Sequence, residues 1–347
     1  MAKKLLITGG AGFIGVNAAL RFLGKGWDVT IFDNFSRRGT DINEATLKSG
    51  SFPGKAVIVR GDVRTDTNQL GALAEEHDAV LHLAAQVAVT TSVTNPREDF
   101  ESNALGTFNV LEAVRLSKRR PAVLYTSTNK VYGGLENLAV KEEERRYAFV
   151  DQPQGVDEFQ LLDFHSPYGC SKGTADQYVR DYARLYDMKT VVFRQSCIYG
   201  PHQMGIEDQG WVAWFLIAAL LGKPVTIYGN GKQVRDLLYV DDLVSCYEAA
   251  IDKIDVCAGR IYNLGGGASN TLSLLEFFNI LKKEFGTDVP LSYAKTRPGD
   301  QPIFISDNGK ALRELGWKPT TEVHAGLRQL HDWLKANMDR LKTLYAK

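Results

Sequence analysis

The chain has 347 residues, with 41 basic and 41 acidic side chains and a formal net charge of zero. That balance excludes a net field toward nucleic acid or anionic lipid, so neither partner is expected. Apolar residues make up 44%, enough for a real core, and the length suits one large α/β domain plus a smaller one. Cys170, Cys197, Cys246 and Cys257 show no C-x-x-C spacing and read as reduced thiols, with no metal site expected. The longest apolar run, 212–221, is too short to span a bilayer. Lys3 and Lys4 lead at once into a strand, so no signal peptide is visible and a cytoplasmic location is expected.

The first predicted strand, Leu5-Leu6-Ile7, ends in glycines at 9, 12 and 15, and a helical apolar period (Phe13, Ile14, Ala18, Leu20, Phe22, Leu23) follows. Strand, glycine turn and helix make a dinucleotide site: glycines allow close approach to a pyrophosphate, and the helix N-terminus offers unpaired N–H groups. The second strand, Val29 to Phe32, ends at Asp33, about 20 positions on, where a carboxylate holds ribose hydroxyls. Asp33 favours NAD over NADP, while Arg37 and Arg38 weaken that preference because a nearby arginine can accept a 2′-phosphate.

A third strand (Ala56 to Val59) leads to Asp62-Val63, then a helix over 70–76 and a fourth strand over 80–85. Ala84 and Ala85 leave room for a cofactor at its end, and His82 inside it reads as a core histidine. One long amphipathic helix is expected over 98–117, and a fifth strand over 122–125. The polar segment 134–163 carries the charge run 141–146, which is either a solvated surface or an active-site cover. Ser166-Pro167 starts a helix running to Tyr186, and Thr190 to Arg194 is a sixth strand. Alternating strands and helices give a doubly wound parallel sheet. Beyond Arg194 the alternation breaks into a helix over 210–221, a strand over 225–228, a helix over 241–250 and a strand over 261–264. Two amphipathic helices follow.

The catalytic candidates are Thr128, Tyr168 and Lys172. Tyr168 and Lys172 are four apart and share a helix face. One cation at about 5 Å offsets roughly 3 kcal/mol at an effective dielectric near 20, so Lys172 is expected to lower the Tyr168 pKa. A lowered phenol can take a proton from a substrate hydroxyl. Thr128, just past a predicted strand end, can bond the same oxygen or simply cap a turn.

Thr8-Gly9-Gly10-Ala11-Gly12-Phe13-Ile14-Gly15, Asp62-Val63, His82-Leu83-Ala84-Ala85, Val131-Tyr132-Gly133, Ser166 to Lys172, and Arg235-Asp236 with Val240-Asp241-Asp242 resemble the extended short-chain dehydrogenase/reductase family over nearly the whole chain. The resemblance implies an NAD-binding Rossmann domain, 1–193 plus 234–264, and a smaller mixed α/β substrate domain, 194–233 plus 265–347. It implies that NAD is held by Gly9, Gly12, Phe13, Ile14, Gly15, Asp33, Asn34, Ser36, Arg37, Asp62, Val63, Leu83, Ala84, Ala85, Gln86, Asn103, Thr126, Tyr168 and Lys172. It also implies a nucleotide-sugar substrate touched by Val87, Thr128, Asn129, Cys197, Gln209, Val212, Tyr228, Arg235 and Arg297, the two arginines on its diphosphate. A homodimer through helices 98–117 and 166–186 is implied as well.

Dehydratases of the family carry Asp-Glu after the threonine, where this chain has Asn129-Lys130, so an oxidise–rotate–reduce epimerase fits better than an elimination. Cys197 replaces the usual asparagine before Tyr199-Gly200. That departure, with 127–133, 162–173, 208–212 and 229–236, resembles the family's 2-epimerases, which favour a CDP-sugar. The alternatives are a UDP-hexose 4-epimerase, a dehydratase, a net oxidoreductase, or a non-catalytic NAD(H)-binding protein.

Overall fold

The computed structural model describes residues 2–346 except Pro298. Met1 and Lys347, at the outer ends of the expected domain spans, therefore lie outside the described residues, as does Pro298. Seven parallel strands form the main sheet, in the order Arg260–Leu264, Thr190–Gln195, Ala122–Thr128, Ala79–His82, Lys4–Thr8, Asp28–Asp33, Ala56–Arg60. The chain order reverses between Lys4–Thr8 and Ala79–His82, which pair directly (Thr8 opposite His82). A doubly wound α/β sheet opens a ligand crevice at such a switch point.

Period-2 alternation sends neighbouring side chains to opposite faces. Leu5 and Ile7 join Ile31, Leu81, Leu124 and Phe193 under the helices Phe13–Gly24 and Val240–Asp252. Leu6 joins Val80, Val123 and Val192 on the other face, under Thr67–Glu76, Gly106–Leu116 and Ser166–Tyr186. His82 sits in this sheet as a satisfied core residue, its ring nitrogens bonded to Thr8 Oγ1 (2.6 Å) and Thr107 Oγ1 (3.0 Å). Burial pushes its pKa down to about 3, so it stays neutral.

The helix expected over 98–117 is not continuous. It runs as Pro96–Phe100, one π turn at Glu101–Leu105, then Gly106–Leu116. The π turn carries Asn103, which bonds two other segments, and such turns collect where a side chain must be aimed. The charge run 141–146 bridges a small hairpin, Val140–Glu142 with Tyr147–Phe149. Lys232 with Glu142 (2.7 Å) and Arg146 with Thr271 (2.8 Å) pin that hairpin to the second layer.

A second core gathers Val212, Leu216, Leu237, Phe277, Leu281, Leu327 and Leu330. Val234–Tyr239 runs through it, antiparallel to Thr271–Ser273 and parallel to Ile303–Phe304 and Cys197–Tyr199. Residues 234–239 thus pair in the small sheet, and the helix Val240–Asp252 that follows packs on the large one. Among the described residues no helix is long and apolar enough to cross a membrane.

Candidate active site

The turns beyond the three central strand ends carry the residues with chemistry. Gly9 sits at φ +71, and a Cβ there would lie 2.7 Å from Ala84 N. A Cβ on Gly15 would lie 2.5 Å from Gly9 O, so backbone packs where side chains would stand. Gly12 caps Phe13–Gly24 without a side-chain bond, and the first turn holds no acid. The N–H groups of Phe13, Ile14 and Gly15 have no intrahelical acceptor and form the positive end of the helix dipole.

Asp33 closes the strand Asp28–Asp33 and ties it to this turn, accepting from Ala11 N (3.0 Å) and Phe35 N (2.7 Å). Burial pushes its carboxyl up, against those two bonds and the Arg37 cation. Arg37 donates to Gln209, and Arg38 lies 5.3 Å over the Tyr345 ring, so both arginines reach toward the second layer. Asp62 is gripped by Arg64 (2.7 Å) and Asn34 (3.0 Å), and Arg64 pulls its pKa down to about 2. Val63 packs in the core, and Ser36 is exposed beside Arg37. A glycine cradle closed to side chains, a helix N-terminus and a strand-end carboxylate fit a dinucleotide.

Leu83, Ala84, Ala85, Gln86 and Val87 form the half-buried turn after Ala79–His82. Gln86 N donates to Asn103 Oδ1 (2.9 Å), and Asn103 Nδ2 donates back to Gln86 O (3.0 Å) and to Ser171 Oγ (3.0 Å). Asp99, fully buried, accepts from Gln86 Nε2 (2.8 Å) and from the Ser171 hydroxyl (2.5 Å). Asp99 and Ser171 went unnoticed in the sequence. An acid in the first turn of a helix reads as a dipole partner at the surface, and only the fold shows it knitting the cofactor turn to the tyrosine helix.

Tyr168 and Lys172 stand one turn apart on Ser166–Tyr186, both buried. Thr128 is the last residue of its strand rather than past its end. Its hydroxyl accepts from Lys130 N (3.3 Å), which caps the turn, and it stands close enough to Tyr168 to lower that phenol's pKa. The electrostatics differ from expectation. Burial pushes Tyr168 up to about 12, and Asp99 adds to this, while Thr128 and Arg37 pull down. Lys172 is not among the groups that pull Tyr168 down, and burial pushes Lys172 itself down to about 7. Its ammonium donates to Thr126 O (2.5 Å) and lies 4.3 Å over the Tyr125 ring.

Opposite, the expected substrate residues fall into two groups. Arg235 pairs with Asp300 (2.7 Å), which also lies 3.8 Å from Lys130. Burial pushes Lys130 down to about 8, with the Arg235 cation adding to this. Burial likewise pushes the Cys197 thiol up; its sulfur accepts from Trp211 Nε1 (3.4 Å). Asn129 donates to Gln301 (3.0 Å). In the second group, the Arg297 guanidinium lies 3.9 Å over the Tyr228 ring and pairs with Asp208 (2.9 Å), next to Gln209. The Val212 side chain packs in the second core.

Comparison with known proteins matches residues 6–330 to a family model described as GDP-mannose 4,6 dehydratase. The CDP-paratose 2-epimerase of Salmonella typhi is 46% identical over 338 residues, 95% of this chain and 98% of that protein. A crystal structure of the dTDP-glucose 4,6-dehydratase of Streptomyces venezuelae, with NAD bound, superposes with a TM-score of 0.84 at 27% identity, covering 98% of this chain and 99% of that one. A UDP-glucose 4-epimerase from Thermotoga maritima, solved with UDP-glucose, gives 0.79 at 29% identity, covering 96% and 99%.

Proposed function

This chain belongs to the GDP-mannose 4,6-dehydratase family of NAD-dependent epimerases and dehydratases, and from that premise we propose that it inverts C2 of a CDP-activated deoxyhexose of the paratose–tyvelose type. The observation that carries this reading is the gathering of Thr128, Tyr168 and Lys172 at one strand end, with Asn129-Lys130 where an elimination needs an acid and a base. The 46% identity to a CDP-paratose 2-epimerase supports the position on the sugar and the cytidine nucleotide.

NAD+, when bound, would supply a reversible hydride acceptor for C2, so the reaction would have no net redox change. Tyr168, as its phenolate, takes the proton of the C2 hydroxyl and gives it back to the 2-keto sugar after the ring has turned over. Thr128 holds the reacting oxygen beside Tyr168. Lys172, held in place by Thr126 O one helical turn from Tyr168, anchors the nicotinamide ribose and, in its protonated fraction, sets a cation near the phenolate. Asp33 and the first turn of Phe13–Gly24 hold the ribose and pyrophosphate ends of the cofactor. Arg235, Arg297 and Lys130 neutralise the sugar diphosphate. In this reading, 1–193 with 234–264 serves the cofactor and 194–233 with 265–347 serves the sugar nucleotide.

A homodimer completes the proposal. Phe100, Phe108 and Leu116 on one side and Tyr178 and Leu185 on Ser166–Tyr186 form an exposed apolar face, up to 70% exposed at Leu116, suited to a four-helix pairing. The unpaired cysteines, with Cys170 at the surface, suit the reducing cytoplasm.

Incubation of the purified protein with CDP-paratose in D2O, without added NAD, followed by proton NMR, tests the reaction. CDP-tyvelose without deuterium at C2 is expected, and Tyr168→Phe should lower its formation by about 10²–10⁴-fold while retaining its cofactor. Loss of water with deuterium in the sugar would replace the epimerase with a dehydratase. Turnover of UDP-glucose alone would replace it with a 4-epimerase.

A further inference from the structure

Lys130 stands two residues past Thr128, on the turn Asn129–Tyr132 that the Thr128 hydroxyl caps by accepting from Lys130 N (3.3 Å). Val131 and Tyr132 are fully buried, so this turn has a fixed seat. A second segment is stapled to it. Gln301, 1% exposed, donates to Gly133 O (2.5 Å) and accepts from Asn129 Nδ2 (3.0 Å). The staple sets Gly299 and Asp300 against the Lys130 side chain, whose ammonium donates to Gly299 O (3.2 Å) and lies 3.8 Å from Asp300. Arg235 reaches the same carboxylate from the small sheet (2.7 Å). The Cys197 thiol lies close to both cations, and burial keeps it protonated, so it neutralises neither. Two sunken cations thus share one carboxylate, and positive charge is left over beside the strand end that carries Thr128.

We infer that Lys130 makes C2 the reacting carbon, by holding the sugar-proximal phosphate of the substrate next to Thr128 and Tyr168. This rests on the proposed C2 reading. In a nucleotide sugar the diphosphate is borne on C1. The C2 hydroxyl is on the neighbouring carbon, whereas the C4 hydroxyl lies across the ring. A site that reacts at C2 must therefore bind phosphate almost at its catalytic phenol, and a site that reacts at C4 must keep the width of the ring between them. The short, seated path from Thr128 to Lys130 meets the first requirement. Arg297, held over the Tyr228 ring and paired with Asp208 on other segments, is left for the phosphate nearer the nucleoside. A lysine suits the inner place, because its ammonium is a compact charge with three donors and grips phosphate without demanding one orientation.

The test compares Lys130→Met with the wild type, both with cofactor bound. Calorimetric titration with CMP and CDP reads what the second phosphate adds. Proton NMR of turnover on CDP-paratose, whose sugar has free hydroxyls at C2 and C4, reads which carbon is inverted. The variant is expected to bind CDP about 10- to 100-fold more weakly while CMP moves by less than about twofold, so that CMP also reports a folded site. Its formation of the 2-epimer at saturating substrate should fall on the order of 10²-fold, with the 4-epimer a larger share of the product. A variant that keeps the preference for CDP over CMP, or loses it with rate and product unchanged, would overturn the role of Lys130 and leave the C2 reading standing. A wild type that makes no 2-epimer would overturn both.

Discussion

Beneath the cleft and around its rim, the same residue types are treated in opposite ways. Arg194, 2% exposed, donates to both oxygens of the fully buried Asp176 (2.9 Å each) and to Tyr132 Oη (3.0 Å). Ser127 adds a bond to Asp176 (2.7 Å), and Tyr132 passes on to Asn263 (2.7 Å). Every partner comes from a strand of the main sheet, the turn after it, or the helix packed on it, so the geometry is set by regular structure. At the rim, Arg235, Lys130, Arg297 and Arg37 are paired across distant loops, with Asp300 and Asp208 at 26% and 44% side-chain exposure. The buried network fixes the position of the catalytic strand and helix. The rim pairs bring together segments far apart in the chain and leave their charges open to exchange with a ligand.

Three perturbations separate the two regions. The largest effect is expected from Asp176→Asn, which leaves Arg194 buried without its counterion and should cost about 3–5 kcal/mol in urea unfolding. A loss below about 1 kcal/mol would erase the distinction. Lys172→Met comes next. The buried amine titrates at about 7 against its ordinary 10.5, so between those values the unfolded chain binds more protons than the folded one. Wild-type stability should therefore rise relative to the variant by about 1.4 kcal/mol per pH unit from pH 7.5 to 9.5, while the variant loses turnover at every pH. Parallel stability profiles would place the amine in water. The smallest structural effect belongs to Asp300→Asn. Its half-exposed pairs should change stability by less than about 1 kcal/mol. Because the carboxylate competes for Arg235 and Lys130, its loss should tighten CDP binding several-fold in titration.

The same division governs what could be read from the sequence. Leu5 to Gly15 announces its strand, turn and helix because each step depends on near neighbours, and Tyr168 with Lys172 follows from a four-residue interval on one helix. Asp99 and Ser171 left no pattern, since their partners are supplied by chain crossings at separations such as 72 residues. The upward push on Tyr168 was not legible for a related reason: spacing gives proximity, but desolvation depends on everything packed around the pair. The strand Val234–Tyr239 was not foreseen, since Arg235 and Asp236 interrupt its apolar pattern and only its partners define it.

The π turn at Glu101–Leu105 ties these levels together. One extra residue in a helix of 3.6 residues per turn rotates everything after it by about 100°. Before the turn, Asp99 faces inward to Gln86 and Ser171; after it, Phe108 and Leu116 face outward. A single codon thus keeps the inner and outer surfaces in phase. Deleting it would straighten the helix and force a choice between aiming the buried carboxylate and presenting the apolar face, which makes this segment intolerant of length change even where its individual side chains are replaceable.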